Sequence, residues 1–123
     1  MNTNSSAAAF QHREPTWSSA EKSVARRAFD RALQQEFDAV IAETRRRATA
    51  IHSISDVWEL ESYLTNSRNQ IDRQFNYRYS VLIEVFGRLL HEGKLNYEDL
   101  QGLDQDKLAE IRRVASFLAL PIP

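Results

Sequence analysis

The chain has 123 residues and no cysteine, which excludes a disulfide framework, a thiolate zinc site and a cysteine nucleophile. Residues that break helices are scarce and lie near the two ends or after residue 86: Pro15, Gly87, Gly93, Gly102, Pro121 and Pro123. Charges of the two signs nearly cancel, giving a formal net charge of -1. The composition therefore offers no electrostatic reason to expect nucleic acid or an anionic membrane as a partner.

The start of the chain lacks a targeting or membrane segment. It has no basic leader, and its longest apolar run covers only residues 7–10, so we expect neither a signal peptide nor a transmembrane span. Residues 1–16 are predicted to form a flexible tail. The absence of cysteine fits a reducing compartment, and we expect a cytoplasmic protein.

A long first helix is predicted to begin after Ser18, because Glu21 stands three residues on and completes a capping box. Its apolar stripe contains Ala25, Phe29, Leu33, Phe37, Val40, Ile41, Ala48 and Ile51. A helix of thirty-odd residues at ~1.5 Å per residue reaches about 50 Å, whereas a compact chain of this size has a radius of gyration of roughly 14 Å. We therefore expect a second copy to cover the stripe in a homodimer, or in a higher oligomer, with Leu33 and Phe37 at the interface.

A second helix is predicted after a short connection at residues 53–55, with Ser55 as its N-cap and Asp56 in its first turn. Its apolar side chains recur on one side of a helix: Val57, Leu60, Leu64, Ile71 and Phe75. The short connection favours an antiparallel hairpin of two helices. We place Val57 and Leu64 at the same dimer interface as the first helix.

The last part of the chain predicts a small helical head. Residues 81–90 are apolar on nearly all sides, so a third helix should lie at the centre of a core and end at Gly93. Asn96 can cap a short helical turn, and Asp104 can cap a last helix. No stretch shows the alternation of a strand.

The expected fold is all-α, with two long helices in an antiparallel hairpin that forms a homodimer. We divide the chain into a tail at residues 1–16, the hairpin and dimerisation region at residues 17–75, and a C-terminal helical head at residues 76–123.

Catalysis is not indicated. The histidines are scattered at His12, His52 and His91, and none has a second ligand at the spacing of a zinc helix. Asp104 and Asp106 do not continue into a calcium loop, and no glycine cluster could hold a phosphate. We expect no catalytic residue, no metal site and no cofactor.

Arginine outnumbers lysine, and its runs invite a nucleic-acid hypothesis. Nearby carboxylates largely cancel these runs, however, and Glu43 stands four residues before Arg47, a favourable helical pair. A helix-turn-helix around Gly102 would present a recognition helix that begins with Asp104 and Asp106, which repels DNA. We therefore expect no nucleic-acid partner.

A protein partner is favoured by two side chains of the second helix. Arg68 lies at the edge of the apolar stripe, where a guanidinium needs a carboxylate, a carbonyl or an aromatic face. Trp58 lies on the polar flank, where packing alone does not require tryptophan, although a pocket on the first helix is an alternative. With Glu61 and Ser62, these residues form a candidate partner-binding patch. Glu61 could also pair with Arg68 within the chain or across a dimer.

The sequence resembles the fluorescence recovery protein family of cyanobacteria. The likeness runs from Trp17-Ser18 to about Leu118 and rests on these anchors: Val57-Trp58-x-Leu60, Leu64, Arg68, Ile71-Asp72, Tyr77-Arg78-Tyr79-Ser80, Val85-Phe86, Glu92-Gly93 and Leu103. The resemblance implies an all-helical homodimer. It also implies a regulator that binds the photoactivated orange carotenoid protein and speeds its return to the resting form.

Three positions depart from the family pattern. Trp58 and Arg68 match the family's tryptophan and arginine, but Glu61-Ser62 stands where the family has a His-Asp pair. Glu84 stands where a relative can have an aromatic residue on the third helix. The alternative is thus a divergent member that serves as an interaction or scaffolding dimer for a different, signalling partner.

Overall fold

A computed structural model describes residues 16–121, and within that range the chain is helical without a strand. The elements are α1 (Ser19–Thr49), α2 (Ile54–Gln74), α3 (Leu82–His91), a 3-10 helix (Tyr97–Leu100) and α4 (Gln105–Leu118). An isolated bridge between Gln101 and Leu103 is the one β-type pairing in the described range. The predicted all-α class is confirmed. The predicted tail at residues 1–16 lies outside the described residues except for Thr16.

The first helix begins where the capping pattern predicts. The Glu21 backbone N–H donates to Ser18 Oγ at 3.1 Å, and the Ser18 N–H donates to Glu21 Oε1 at 3.0 Å. The predicted N-cap of α2 is wrong. Ser53, not Ser55, takes this position, because Asp56 lies three residues after Ser53 and its carboxylate accepts the Ser53 N–H at 3.2 Å. A capping box thus decides between two nearby serines.

The two long helices run antiparallel within one chain. Near their connection, the guanidinium of Arg47 on α1 lies 4.4 Å from the ring centre of Tyr63 on α2. At the opposite end, the rings of Phe29 and Phe75 meet edge to face, with centroids 5.5 Å apart. Successive residues of α1 therefore face residues that come earlier and earlier along α2.

The hydrophobic core joins the head to the N-terminal half of α1. Its buried apolar members are Trp17, Ala25, Ala28, Phe29, Ala32, Leu82, Phe86, Leu89, Leu95, Leu100, Leu103, Leu108 and Ile111. The third helix lies at the centre of this core, as its pattern predicts. Gly93 has a φ of +75°, which favours glycine, and this residue turns the chain out of α3.

The other half of the hairpin has almost no core of its own. Past Ala32, no residue of α1 is buried, and α2 has no buried residue at all. Large apolar side chains remain accessible there: Phe37 is 42% exposed, Ile41 48% and Leu64 39%. We call the portion of the hairpin beyond Ala32 the arm. In a single copy of the chain, the apolar stripe of the arm is open.

Between residues 16 and 121, no helix combines the length and apolar character needed to cross a membrane.

Candidate functional site

An apolar groove runs along the arm where α1 and α2 meet. Its volume is about 670 Å³, and its apolar lining includes Leu33, Phe37, Val40, Ile41, Leu64 and Ile71. Arg68 and Asp72 add charged groups to the lining. The groove thus brings together three of the four residues predicted for the dimer interface. The fourth, Val57, is half-buried on α2 but does not line the groove.

Arg68 belongs to this apolar groove. It follows Leu64 by four residues, a rotation of about 40° around the helix. Its side chain is exposed and forms no ion pair with any carboxylate in the described part of the chain. The hypothetical pair with Glu61 is therefore not formed within the chain. Arg68 has a free guanidinium at the edge of an open apolar surface.

Trp58 lies on a different face of α2, where it lines a second, polar groove. This groove has a volume of about 550 Å³, and its lining includes Arg47, Trp58, Ser62, Tyr63, Asn66 and Gln70. The Trp58 side chain is 57% exposed, so the alternative in which it fills a pocket on α1 is wrong. A large aromatic side chain left in water beside amide and hydroxyl groups is typical of a protein-binding surface.

The predicted partner-binding patch is divided by this geometry. Trp58 and Ser62 line the polar groove, Arg68 lines the apolar groove, and exposed Glu61 lines neither. The 100° step of an ideal helix places Arg68 about 80° from Trp58, but it does not reveal which side of α2 packs against α1. The packing therefore places the two family-matched residues in different grooves, which adjoin at Ser67, a lining residue of both.

A third groove lies where α2 meets α3, and sequence reasoning missed it. We call it the cationic cleft: it has a volume of about 480 Å³, and Gln70, Arg73, Gln74, Glu84, Val85 and Arg88 are among its lining residues. Its arginines come from two helices separated by a turn. No local pattern places them together, so the sequence alone carried no signal for this cleft.

The position of the cleft is fixed by a polar network around Lys94. Its Nζ donates to Gln74 Oε1 at 2.8 Å and lies 3.2 Å from Glu36 Oε1 on α1. Gln74 Nε2 also donates to Glu92 Oε1 at 2.9 Å. The end of α2, the middle of α1 and the turn after α3 are thus joined at one point.

Carboxylates neutralise part of the arginine run at the tip of the arm. Glu43 accepts from Arg46 Nη2 at 2.6 Å and from Arg47 Nε at 2.7 Å, which confirms the predicted Glu43–Arg47 pair. Hydrogen bonds from Arg46 and Arg47 lower the pKa of the Glu43 carboxyl to about 2. This carboxylate therefore stays charged over the physiological range and reduces the positive potential of the tip.

Over residues 16–121, no group of three or more histidine, aspartate and glutamate side chains is arranged to hold a metal ion. His52 and His91 are both exposed near helix ends. The described residues offer grooves lined by exposed side chains, and these grooves suit contacts with proteins.

Comparison with known proteins identifies the class. A family model described as "photoprotection regulator fluorescence recovery protein" matches residues 17–115. The match covers the hairpin and most of the head. The class of the protein is therefore that of the photoprotection regulators. The chain belongs to the fluorescence recovery protein family.

Individual relatives agree with this assignment over nearly their whole length. The fluorescence recovery protein of Synechocystis sp. PCC 6803 is 38% identical over 106 residues, which are 86% of this chain and 97% of that protein. Its solved structure has a TM-score of 0.79 to this chain. The structure of the Fremyella diplosiphon fluorescence recovery protein has a TM-score of 0.80 at 40% identity, and the match covers 82% of this chain and 99% of that one.

Proposed function

We propose that this chain is a non-enzymatic, cytoplasmic, homodimeric regulator. Its partner is the photoactivated orange carotenoid protein, and its effect is to speed the return of that protein to the resting form. Membership of the fluorescence recovery protein family supports a role in photoprotection. The choice of partner follows from what the family resemblance implies.

The observation that carries the proposal is that Trp58 is not among the lining residues of the apolar groove. A second copy that covers Leu33, Phe37 and Leu64 removes apolar surface from water and so stabilises a dimer. Trp58 lies in the polar groove, which adjoins the apolar groove at Ser67 but presents the tryptophan on another side of α2. The dimer can therefore form through residues 17–75 while the tryptophan stays available for another protein.

Regulation of this kind requires no chemistry on the partner. A protein that binds one conformation of its partner more tightly than another shifts the equilibrium by the difference in binding free energy. To speed the return, it must also bind the transition state between the two conformations more tightly than the activated state. An exposed aromatic side chain beside a row of amides and hydroxyls supplies contacts that depend on the shape of the partner.

A second candidate partner is favoured by Glu61 and Ser62. These two residues replace the His-Asp pair that the family resemblance led us to expect, so a carboxylate moves by one position, about 100° around α2. Both side chains are exposed next to Trp58. A divergent family member that serves a different, signalling protein would keep the dimer and alter this contact.

The proposal is tested by mixing the purified chain with light-activated orange carotenoid protein and following the absorbance change of recovery in the dark. We expect faster recovery with the wild-type chain and a weaker effect with Trp58→Ala. The control is Phe117→Ala, which removes another exposed aromatic side chain, 71% exposed, from α4. An unchanged recovery rate at saturating wild-type dimer would remove this role and leave the alternative partner.

A further inference from the structure

Two arginines of the cationic cleft lack a carboxylate partner. Arg73 on α2 and Arg88 on α3 form no ion pair and no side-chain hydrogen bond with any residue from 16 to 121. Five other described arginines pair with carboxylates, among them Arg31, 3.0 Å from Asp99, and Arg26, 3.2 Å from Asp30, whereas Arg68 and several more do not. The cleft therefore concentrates positive charge that the chain itself leaves uncompensated.

The local charge differs in sign from that of the whole chain. Glu84 is the one carboxylate among the lining residues of the cleft, against Arg73 and Arg88. Arg78 adds a third guanidinium close by, because its Nε donates to Oδ1 of the lining residue Asn76 at 3.2 Å. The chain as a whole has a net charge of -1. The positive charge of the cleft is therefore a local feature and not a consequence of a basic chain.

We propose that the cationic cleft binds an acidic segment of a partner protein, with carboxylates of that segment on Arg73 and Arg88. A guanidinium presents a planar fork of donors that matches a carboxylate with two parallel hydrogen bonds. Val81 and Val85 also line the cleft, so an apolar side chain placed between the carboxylates has a surface to contact. The amide of Gln70 can bond to the backbone of the segment, whereas the Gln74 amide is engaged by Lys94 and Glu92.

The shape of the surface favours a peptide segment over a small anion. Gln70 lines both the cationic cleft and the polar groove of Trp58, so the two are continuous along α2. From Trp58 to Arg73, fifteen residues of helix at ~1.5 Å each extend about 22 Å. An extended peptide of about seven residues spans that length.

Nucleic acid fits the cleft less well than a protein segment does. Single-stranded nucleic acids are held by a positive groove with aromatic side chains on which the bases stack. No aromatic residue is among the lining residues of the cationic cleft itself, so bases could stack only on Trp58 or Tyr63 of the adjoining polar groove, away from Arg73 and Arg88. The cleft recognises the chemistry of the bound segment, whichever protein supplies that segment and whether or not the chain acts on a carotenoid protein.

The test uses the full-length chain and a fluorescein-labelled peptide, acetyl-Glu-Leu-Glu-Glu-Leu-Glu-amide, with fluorescence anisotropy as the readout. A second labelled peptide with glutamine in place of glutamate is the matched probe. We expect the acidic peptide to bind at least about tenfold more tightly than the glutamine peptide, since charge-assisted hydrogen bonds are the stronger ones. Binding should weaken with added salt.

Variants locate the binding site. Arg73→Gln and Arg88→Gln should each weaken binding about tenfold. Glu84→Gln should tighten it severalfold, because the substitution removes the one repelling carboxylate. Arg113→Gln is the control, since Arg113 is an exposed arginine that pairs with Glu110 on α4; its affinity should equal that of the wild type. Circular dichroism checks that every variant keeps its helix content.

Several results would overturn the proposal. One is equal affinity for the acidic and glutamine peptides at moderate salt. Another is an Arg113→Gln variant that loses as much affinity as Arg73→Gln, which would mean that net charge and not the cleft attracts the peptide. Tighter binding of a labelled oligothymidylate, weakened by Arg73→Gln, would assign the cleft to nucleic acid instead. Loss of carotenoid-protein activity without loss of peptide binding would leave this inference standing.

Discussion

Lys107 Nζ lies 3.2 Å from Glu21 Oε1 in a buried ion pair whose partners are 86 positions apart. The pair joins the first turn of α1 to the first turn of α4. Lys107 Nζ also donates to the Thr16 carbonyl at 2.6 Å, and the Asp104 backbone N–H donates to Glu21 Oε2 at 2.9 Å. The hydrogen-bonding groups of this pair are thus well supplied with partners, which is the condition under which a buried pair is tolerated.

Removing one partner of this pair should destabilise the fold. Lys107→Met leaves the Glu21 carboxylate buried without its cation, and we expect a loss of about 3 kcal/mol in the free energy of unfolding. The measurement is urea unfolding at a fixed chain concentration, because a dimer makes stability concentration-dependent. Arg113→Met breaks the exposed pair with Glu110 and should cost less than about 0.5 kcal/mol. Equal losses in the two variants would contradict a special role for the buried pair.

The same carboxylate predicts how stability depends on pH. Burial raises the pKa of Glu21, but hydrogen bonds from the Ser18 and Asp104 backbone and from Lys107 outweigh it and lower the pKa to about 2. The folded pKa lies below the unfolded value, so this contribution to stability is complete above the unfolded pKa and is lost as pH falls toward the folded pKa. Between about pH 6 and about pH 3, the wild type should lose more stability than Glu21→Gln. Parallel losses would show that Glu21 is not the group that titrates.

Local patterns predicted the helices, while long-range packing decided the surfaces. The Ser18–Glu21 box and the Asp104 cap, whose Oδ1 accepts the Lys107 N–H at 2.9 Å, could be found because each involves residues three apart. The Lys107–Glu21 pair could not, since no local spacing connects the two positions. The same limit hid the cationic cleft, whose lining depends on how the chain turns between α2 and α3.

The position of Arg68 shows the limit of helical geometry alone. Angles around α2 place Arg68 about 80° from Trp58, but α1 packs so that the two residues line different grooves, which adjoin at Ser67. The sequence also did not show that the N-terminal half of α1 packs into the core of the head. The apolar stripe of α1 continues from the core into the arm without a change of pattern. Only the packing shows that burial ends at Ala32.

Gly87 sets the distance between α3 and α4, and its replacement should be costly. A Cβ atom at this position would lie 2.5 Å from both Cβ and Cγ1 of Val114, so the two helices would have to move apart. We expect Gly87→Ala to destabilise the protein by about 1–3 kcal/mol through overpacking. Helix propensity alone would stabilise it by up to about 1 kcal/mol, so the sign of the change separates the two effects.

A double substitution tests the cause of this destabilisation. Combining Gly87→Ala with Val114→Gly removes both atoms that are too close, Cβ and Cγ1 of Val114, and the double variant should be less destabilised than the sum of the single variants. Thermal or urea unfolding of the four proteins gives the coupling free energy. Strict additivity would mean that the cost of the alanine arises elsewhere, for example from its contact with the Ile111 carbonyl oxygen, 3.1 Å from the added Cβ.

The proposed dimer makes Leu64 sensitive to charge. Leu64 lines the apolar groove beside Arg68 and is only partly covered by its own chain. If a second copy covers the groove, Leu64→Glu places a carboxylate in an apolar interface, and the cost of desolvation should shift the protein toward monomer. Light scattering at matched micromolar concentration measures the mass. Because the side chain is accessible in the single chain, the variant should keep its helix content.

Thr65→Glu is the matched control, since it adds the same charge one position along α2 at an exposed residue that does not line the apolar groove. It should leave the dimer mass unchanged, because a 100° rotation around the helix carries the carboxylate away from the groove. Were both variants to keep the dimer mass, the second copy would have to contact another surface. A wild-type chain that is monomeric at the same concentration would remove the dimer itself, and the open stripe of the arm would then belong to a different protein.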